Sequence, residues 1–97
     1  MKVYTVRITE HAERQLESAV LYIAEELCAP EAAVRLYRRI KAKISSLARL
    51  PGRHRTFYRF YRRLNVDNYA IVYFIDGDVV VIDSVLYGSM DIKKHLS

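Results

Sequence analysis

The sequence predicts a single α+β domain, in which a strand and an antiparallel pair of helices precede a three-stranded antiparallel meander (β-α-α-β-β-β). Apolar residues recur at helical spacing in the first half of the chain, and strand-like runs separated by tight-turn signals fill the second half. The 97 residues suffice for one domain but not for two, so we assign 1–97 to one domain. With 52% hydrophobic and 28% charged residues, the composition excludes disordered and collagen-like classes.

The N-terminal elements are predicted from periodicity and from helix-capping residues. Lys2–Ile8 alternates apolar and polar side chains, as is typical of a strand. Thr9 is a suitable N-cap for a first helix, whose apolar positions continue to Leu27. Pro30 suits the first turn of a second helix, and Pro51-Gly52 ends that helix. Because the connection between the two helices is short, we expect them to lie antiparallel.

The second half of the chain predicts three strands that are joined by two tight turns. The strands are Arg55–Val66, Tyr69–Ile75 and Asp78–Leu86. Asp67-Asn68 and Asp76-Gly77 are the predicted turns, and Asp-Gly is favoured in the type I′ turn of a hairpin. Gly88 ends the last strand, and Asp91–Leu96 forms a short helical turn or a loose tail.

Two-residue turns would fix the register of the strands, and with it the composition of each sheet face. They pair Leu64 with Ile71, and Ile71 with Ile82. One face is largely apolar and should pack on the helices. The other combines arginines and aromatic rings around an apolar middle: Phe57, Arg59, Tyr61, Arg63, Asn65, Ala70, Val72, Phe74, Val79, Val81, Asp83, Val85 and Tyr87. We expect a partner to cover this second face, because an apolar sheet face seeks a cover. The exposed apolar residues would be Val72, Phe74, Val81 and Val85.

Charge is distributed unevenly along the chain, which carries a formal net charge of +5. Residues 32–66 contain no acidic side chain, and the rest of the chain holds five cations and all eleven acidic residues. A block of positive charges attracts polyanions, so RNA, DNA and an acidic protein are candidate partners. The alternative is a solvated surface that pairs with acidic residues elsewhere in the domain. The eleven cations of the block are Arg35, Arg38, Arg39, Lys41, Lys43, Arg49, Arg53, Arg55, Arg59, Arg62 and Arg63.

Several other classes of protein and site are not indicated by the sequence. No apolar run approaches the roughly 18–20 residues of a membrane span, and the start lacks a secretory signal, so we expect a cytoplasmic protein without membrane contact. The single cysteine, Cys28, cannot form an internal disulfide and is expected to be a small buried residue. His11, His54 and His95 match no metal-binding spacing, so no metal or cofactor is expected.

Longer patterns indicate a family. Arg63-Leu64-Asn65-Val66 is followed by Tyr69 and, four residues later, by Tyr73. The run Val85–Ile92 contains an aromatic residue that is followed by glycine, two further residues and aspartate. Together with Ile8–Ala12 at the start of the first helix, these patterns resemble the RelE/ParE superfamily of toxins, of the plasmid-stabilisation type, over nearly the whole chain.

This resemblance implies the toxin of a type II toxin–antitoxin system, which is silenced by a cognate antitoxin. RelE-like members cut mRNA on the ribosome without a metal, and ParE-like members poison DNA gyrase. We expect ribosome-dependent mRNA cleavage, with gyrase inhibition as the alternative. Ala70 and Met90 stand where RelE-like nucleases usually carry arginine, and this difference keeps the alternative open.

Metal-free RNA cleavage uses the neighbouring 2′-OH as nucleophile, so it needs proton-transfer groups and cations around the phosphate. We predict Arg63 and Tyr87 as the catalytic residues, since a guanidinium binds two phosphate oxygens and a phenol can transfer a proton. His54 lies between two arginines, which should lower its pKa. Aromatic rings stack on unpaired bases with about 1–3 kcal/mol each. The residues predicted to bind RNA or another target are Arg55, Phe57, Arg59, Tyr61 and Asn65. In the gyrase alternative, the helix pair and its cations contact the target instead.

Overall fold

Two helices pack on one face of a five-stranded sheet in the computed structural model, which describes residues 2–88. The elements are β1 (Thr5–Ile8), α1 (Glu10–Leu21), α2 (Pro30–Ser46), β2 (Thr56–Tyr58), β3 (Tyr61–Val66), β4 (Tyr69–Asp76) and β5 (Val79–Tyr87). The order in the sheet is β1-β5-β4-β3-β2, with β1 parallel to β5 and the other neighbours antiparallel. The predicted α+β class is confirmed. Met90 and the predicted tail lie outside the described residues.

The starts of the helices follow the local signals of the sequence, but α2 ends at Ser46 and not at Pro51-Gly52 as predicted, since Pro51 begins a separate 3₁₀ turn. The Thr9 hydroxyl accepts a hydrogen bond from the Ala12 amide (3.1 Å) and donates one to the Asp83 carbonyl (3.1 Å), so it caps α1 and ties it to β5. Pro30 occupies the first turn of α2, as predicted. A π-helical turn at Tyr22–Glu26 continues α1. Cys28 is exposed and not buried as predicted, because it lies in the tight connection between the helices, with φ of 50°.

The main core lies between the helices and the sheet. Tyr73 is fully buried there, and its hydroxyl donates a hydrogen bond to the Pro51 carbonyl (2.6 Å). This contact fixes the 3₁₀ turn Pro51–Arg53, which follows α2. The buried members of the core are Ala12, Leu16, Leu36, Ile40, Ile44, Leu47, Val66, Ile71, Tyr73, Val80, Ile82 and Val85.

The predicted strand Arg55–Val66 is in fact two strands, β2 and β3, which a turn at Arg59 and Phe60 joins. Arg59 adopts φ of 52° in this turn, a conformation that few residues other than glycine and asparagine favour. The sequence contains none of the usual turn residues here, so the prediction missed the hairpin. The sheet therefore gains a fifth strand among the described residues.

The β3–β4 register is confirmed, with Leu64 opposite Ile71, but the predicted β4–β5 register is wrong. Ile71 lies opposite Val85, and not opposite Ile82. The turn is centred on Gly77 and Asp78, one residue later than predicted, and a bulge interrupts the register between Val72 and Tyr73. The bulge adds one residue to β5, and side chains after it change face.

The side of the sheet away from the helices, here called the aromatic face, carries Phe57, Tyr58, Tyr61, Ala70, Val72, Phe74 and Leu86. The expectation of exposed apolar residues on it is wrong for Val72 and Val81, which are buried. Phe57, Tyr58 and Phe74 pack against the buried residues of this face. Val85 is also buried, but on the helix side, because it follows the bulge.

Candidate functional site

Arg63, Asn65 and Tyr87 line one shallow hollow beside the β3–β4 turn, with a cavity volume of about 350 Å³. The Arg63 Nε donates a hydrogen bond to the Asn65 side-chain oxygen (2.8 Å), which holds the guanidinium at the hollow. Tyr87 reaches it from the other side of the sheet. It pairs with Tyr69, which packs against the helix-side core, and the two rings meet edge to face at 5.5 Å. The hollow thus lies at the end of the sheet, where both faces meet.

The charges around this hollow are mixed. Arg63 is the one cation among the described residues that line it, and Asp67 contributes a carboxylate. Asp67 is itself bound by Arg39, whose Nη2 and Nε lie 3.0 and 3.2 Å from the two carboxylate oxygens. Burial raises the pKa of Tyr69, with smaller contributions from Tyr87 and Tyr22, so this phenol stays neutral at physiological pH. A phosphate here would therefore meet one guanidinium, the Asp67 carboxylate and several neutral side chains.

The other residues predicted to bind a target lie outside the hollow. Arg55 is exposed in the segment before β2, and the Arg59 guanidinium lies over the Tyr58 ring, 5.2 Å from its centre. Phe57 packs against the aromatic face, and Tyr61 is only 9% exposed within it. Burial raises the pKa of Tyr61. These two rings fill a core, which leaves little of their surface for stacking on bases.

Arg62 and His54 form a separate corner on the helix side of the sheet. Arg62 Nη1 donates hydrogen bonds to the carbonyl oxygens of Gly52 (3.1 Å) and His54 (2.6 Å). The His54 ring meets the Tyr73 ring edge to face at 6.4 Å. Burial lowers the pKa of His54, and the charges of Arg53 and Arg62 lower it further. The predicted direction is confirmed, although burial is the larger cause.

A larger groove, here called the α1 groove, lies between α1, the π-helical turn and the ends of β4 and β5. Its cavity volume is about 880 Å³. β1 pairs with β5 only as far as Ile82, and beyond it the Val85 amide donates to the Gln15 side-chain oxygen (2.7 Å). Tyr22 and Leu27 are more than half exposed at the groove. Its lining consists of His11, Arg14, Gln15, Ser18, Ala19, Tyr22, Ile23, Leu27, Asn68, Tyr69, Val85, Leu86 and Tyr87.

The sequence analysis missed the α1 groove because regular helical spacing assigned Ile23 and Leu27 to the helix core. The π-helical turn inserts an extra residue per turn, so that Leu27 bonds through its amide to the Tyr22 carbonyl (3.2 Å). Tyr22 and Leu27 are thereby brought to the same side. The signal in the sequence is this five-residue spacing of two large apolar residues.

The basic block is partly neutralised within the domain. Arg39 binds Asp67, and Lys41 Nζ lies 3.3 Å from both carboxylate oxygens of Glu13. Two cations of the basic block therefore pair with acidic residues elsewhere in the domain, as the alternative interpretation of this block expects. Within residues 2–88, Arg35 and Lys43 take part in none of the ion pairs.

Residues 2–88 contain no group of three or more histidine, cysteine or acidic side chains that could hold a metal ion. None of the helices in this range has the length and apolar character needed to cross a membrane.

A family model matches the sequence of this chain, and solved structures share its fold. The sequence model of the family described as "ParE toxin of type II toxin-antitoxin system, parDE" matches residues 6–92. Two similar solved structures are the chromosomal ParDE toxin–antitoxin system from P. aeruginosa and the toxin–antitoxin complex RelBE2 from Mycobacterium tuberculosis. The first has a TM-score of 0.79 at 14% identity, covering 90% of this chain and 98% of that one. The second has a TM-score of 0.61 at 24% identity, and the match covers 88% of this chain and 98% of that one. No curated protein matched in sequence.

Proposed function

We propose, starting from the fact that this chain belongs to the ParE toxin family of type II toxin–antitoxin systems, that it inhibits growth by binding DNA gyrase. Gyrase poisoning is what the resemblance implies for a ParE-like member. It is preferred here to ribosome-dependent mRNA cleavage, which the sequence alone favoured. The chain would then act through surface contacts, without a chemical step of its own.

The observation that carries this proposal is the charge of the hollow beside the β3–β4 turn. Metal-free cleavage requires preorganised cations around the phosphate where negative charge develops. The hollow offers Arg63 and, beside it, the Asp67 carboxylate. Arg55 and Arg59 are absent from its lining, and Arg62 is bound to backbone carbonyls on the other face. This arrangement supports a binding protein better than a nuclease.

Cleavage of mRNA is retained as the second candidate because of one observation. Arg63, Asn65 and Tyr87, all predicted site residues, line the same hollow. A guanidinium that binds a phosphate and a phenol that transfers a proton are two of the groups that acid–base cleavage of RNA uses.

Two assays separate these candidates. Gyrase inhibition predicts that the purified chain blocks supercoiling by gyrase and that double-strand DNA breaks accumulate in cells that express it. Primer extension on mRNA from the same cells should then find no new 5′ ends. Discrete 5′ ends within codons, without DNA breaks, would overturn the gyrase proposal in favour of cleavage.

Variants sharpen the distinction between the two candidates. Arg63→Ala and Tyr87→Phe should leave growth inhibition within about twofold of the wild type if no reaction occurs at the hollow, whereas loss of a catalytic group costs on the order of 10²-fold or more. Tyr87→Phe keeps the ring that packs on Tyr69 and removes only the hydroxyl. Tyr4→Phe, at a half-buried tyrosine outside the hollow, the α1 groove and the helix pair, is the matched control. Loss of toxicity in Tyr87→Phe alone would argue for the nuclease.

The proposal includes a cognate antitoxin, because both structural neighbours are toxin–antitoxin systems. The α1 groove is the candidate docking place for a segment of it. The groove combines apolar side chains with the part of β5 that β1 does not cover. An extended or helical segment with apolar side chains could bury both kinds of surface. Failure of the neighbouring gene product to co-purify with this chain would contradict this part.

A further inference from the structure

Four cations lie on the side of α2 that faces away from the core: Arg35, Arg38, Arg39 and Lys43. We call them the α2 stripe. All four are exposed, whereas Leu36, Ile40 and Ile44 of the same helix are buried. At 3.6 residues per turn, Arg35, Arg39 and Lys43 stand one above another on successive turns, with Arg38 beside them. The hollow and the α1 groove do not include this surface, which belongs to the helix pair that the gyrase proposal uses for its target.

The charge of the α2 stripe is largely uncompensated. Asp67 binds Arg39, but Arg35, Arg38 and Lys43 form no ion pair within residues 2–88. Like charges four residues apart destabilise a helix by a few tenths of a kcal/mol per pair. Such a row is therefore unfavourable in the free protein and becomes favourable when a polyanion neutralises it.

The surroundings of the stripe favour a phosphate backbone over an acidic protein. Ala42 and Ser46 lie among the cations on the exposed side of α2, and their small side chains permit close approach. Protein interfaces are typically centred on aromatic or aliphatic anchors. The exposed apolar residues of α2, Val34 and Tyr37, lie outside the row that runs through Arg35, Arg39 and Lys43.

We propose that the α2 stripe binds the phosphate backbone of double-stranded DNA. From Arg35 to Lys43 the helix rises about 12 Å, which matches the width of the DNA major groove. Duplex DNA carries one negative charge per about 1.7 Å, so a stretch of this length presents more phosphates than the stripe has cations. The binding is independent of sequence, because a backbone contact reads no base. This activity goes beyond gyrase inhibition and does not depend on it.

The test measures fluorescence anisotropy of a short mixed-sequence DNA duplex with the purified full chain, over a series of KCl concentrations. The variant Arg35→Gln/Lys43→Gln removes two charges from the stripe. The control Lys2→Gln/Arg7→Gln removes one lysine and one arginine, also exposed, from the N-terminal segment. Circular dichroism of each variant verifies that it folds.

We expect wild-type affinity to fall steeply with salt, and each lost phosphate contact to reduce the slope of log K against log[KCl] by about 0.9. The stripe variant should therefore show a slope shallower by about two and an affinity about tenfold or more lower at the lowest salt. The control should keep the wild-type slope. Equal losses in both variants would overturn the proposal, as would an unchanged slope in the stripe variant.

Two further ligands test the identity of the polyanion. Single-stranded RNA of the same length should bind less tightly than the duplex, since its charge density is lower. Polyglutamate should bind least, because carboxylates on a flexible chain do not reproduce the row of phosphates. If polyglutamate binds as tightly as DNA, the stripe is a surface for an acidic protein and the proposal is wrong. Tighter binding of RNA would also contradict it.

Discussion

His54 illustrates how a single titratable residue depends on its neighbours in this fold. Its ring packs against Tyr73, and its carbonyl oxygen accepts a hydrogen bond from Arg62. Burial raises the pKa of Tyr73 to about 12, so the phenol remains a hydrogen-bond donor to Pro51 at all physiological pH values. The groups that face the histidine are therefore a neutral phenol and the two guanidinium groups of Arg53 and Arg62. None of them stabilises an imidazolium ion.

Protonation of His54 should therefore oppose folding. Because burial and the two arginines lower its pKa in the folded state, the unfolded chain binds more protons below about pH 6.5. The free energy of unfolding should decrease as the pH falls from about 6.5 towards the folded-state pKa. Urea titrations of the wild type and of His54→Gln between about pH 7.5 and about pH 5 measure this.

We expect the wild type to lose more stability than His54→Gln over this range. His11 and His95 are present in both proteins, so the difference between the two curves isolates His54. Parallel curves would show that the histidine is not held in its neutral form by this corner.

At the scale of elements, the connections of this fold contain several residues with positive φ. Cys28, Leu50, Arg59 and Asp67 all adopt φ between 50° and 53°. This left-handed conformation costs most residues with a Cβ atom roughly 1–2 kcal/mol, whereas aspartate tolerates it better. The connections are thus strained, and the packing of the elements that they join holds them in place.

Replacing Cys28 with glycine should relieve one of these strains. Glycine removes the cost of positive φ but loses about 0.5–1 kcal/mol through the greater freedom of the unfolded chain. The weak contact of the Cys28 thiol with the Glu25 carbonyl (3.6 Å) contributes little to stability, so its loss in the glycine variant is a small effect. We expect Cys28→Gly to be more stable than the wild type by up to about 1 kcal/mol in urea denaturation.

Ala42→Gly is the control, since Ala42 is exposed in the interior of α2, where the backbone is right-handed. It should be destabilised by about 0.5–1 kcal/mol, because glycine gives the unfolded chain more conformational freedom and relieves no strain at a helical position. If both glycine variants were destabilised equally, the left-handed conformation of Cys28 would not be a source of strain.

Elements with local signals could be predicted, and those that depend on distant contacts could not. Thr9 as an N-cap and Pro30 in a first turn each act within a few residues, and both were predicted correctly. The bulge in β5 instead lies beside two hydrogen bonds to the start of the chain. The Thr9 hydroxyl donates to the Asp83 carbonyl, and the Val85 amide donates to the Gln15 side-chain oxygen. These partners lie about 70 residues apart in sequence, so no local pattern reveals them.

The candidate site shows the same division. The sheet face of Arg63 and Asn65 was predicted correctly, because the short turn between β3 and β4 sets the register of these two strands. Tyr87 was assigned to the wrong face, because its position depends on the bulge. It nevertheless reaches the hollow, because the hollow lies at the end of the sheet and draws residues from both faces.

The whole molecule divides its exposed features among separate surfaces. The α2 stripe carries cations without apolar anchors, and the α1 groove carries apolar side chains with few charges. Surfaces of such different chemistry suit different partners. Under the two proposals made above, the chain would bind DNA through α2 and an antitoxin segment through the α1 groove, so the two partners would occupy separate surfaces.

Occupation of the α1 groove by the antitoxin predicts that a charge placed in the groove weakens the complex. Leu27 lies in the groove and is 56% exposed, so Leu27→Asp should not disturb the core. In a complex, the substitution would bury a carboxylate against apolar side chains. Disrupting a central residue of an interface costs about 2 kcal/mol or more of binding free energy, which corresponds to a loss of roughly 30-fold in affinity. Isothermal titration of the antitoxin into each variant gives the affinity.

Leu50→Asp is the control, because Leu50 is 58% exposed, lies outside the groove and has the left-handed conformation that aspartate tolerates. It should bind the antitoxin with wild-type affinity, and thermal denaturation should verify that both variants fold. Equal weakening by the two substitutions would point to a general effect of charge. Wild-type affinity in Leu27→Asp would move the antitoxin to a different surface, since no interface that covers this groove could accommodate an unpaired carboxylate at its centre.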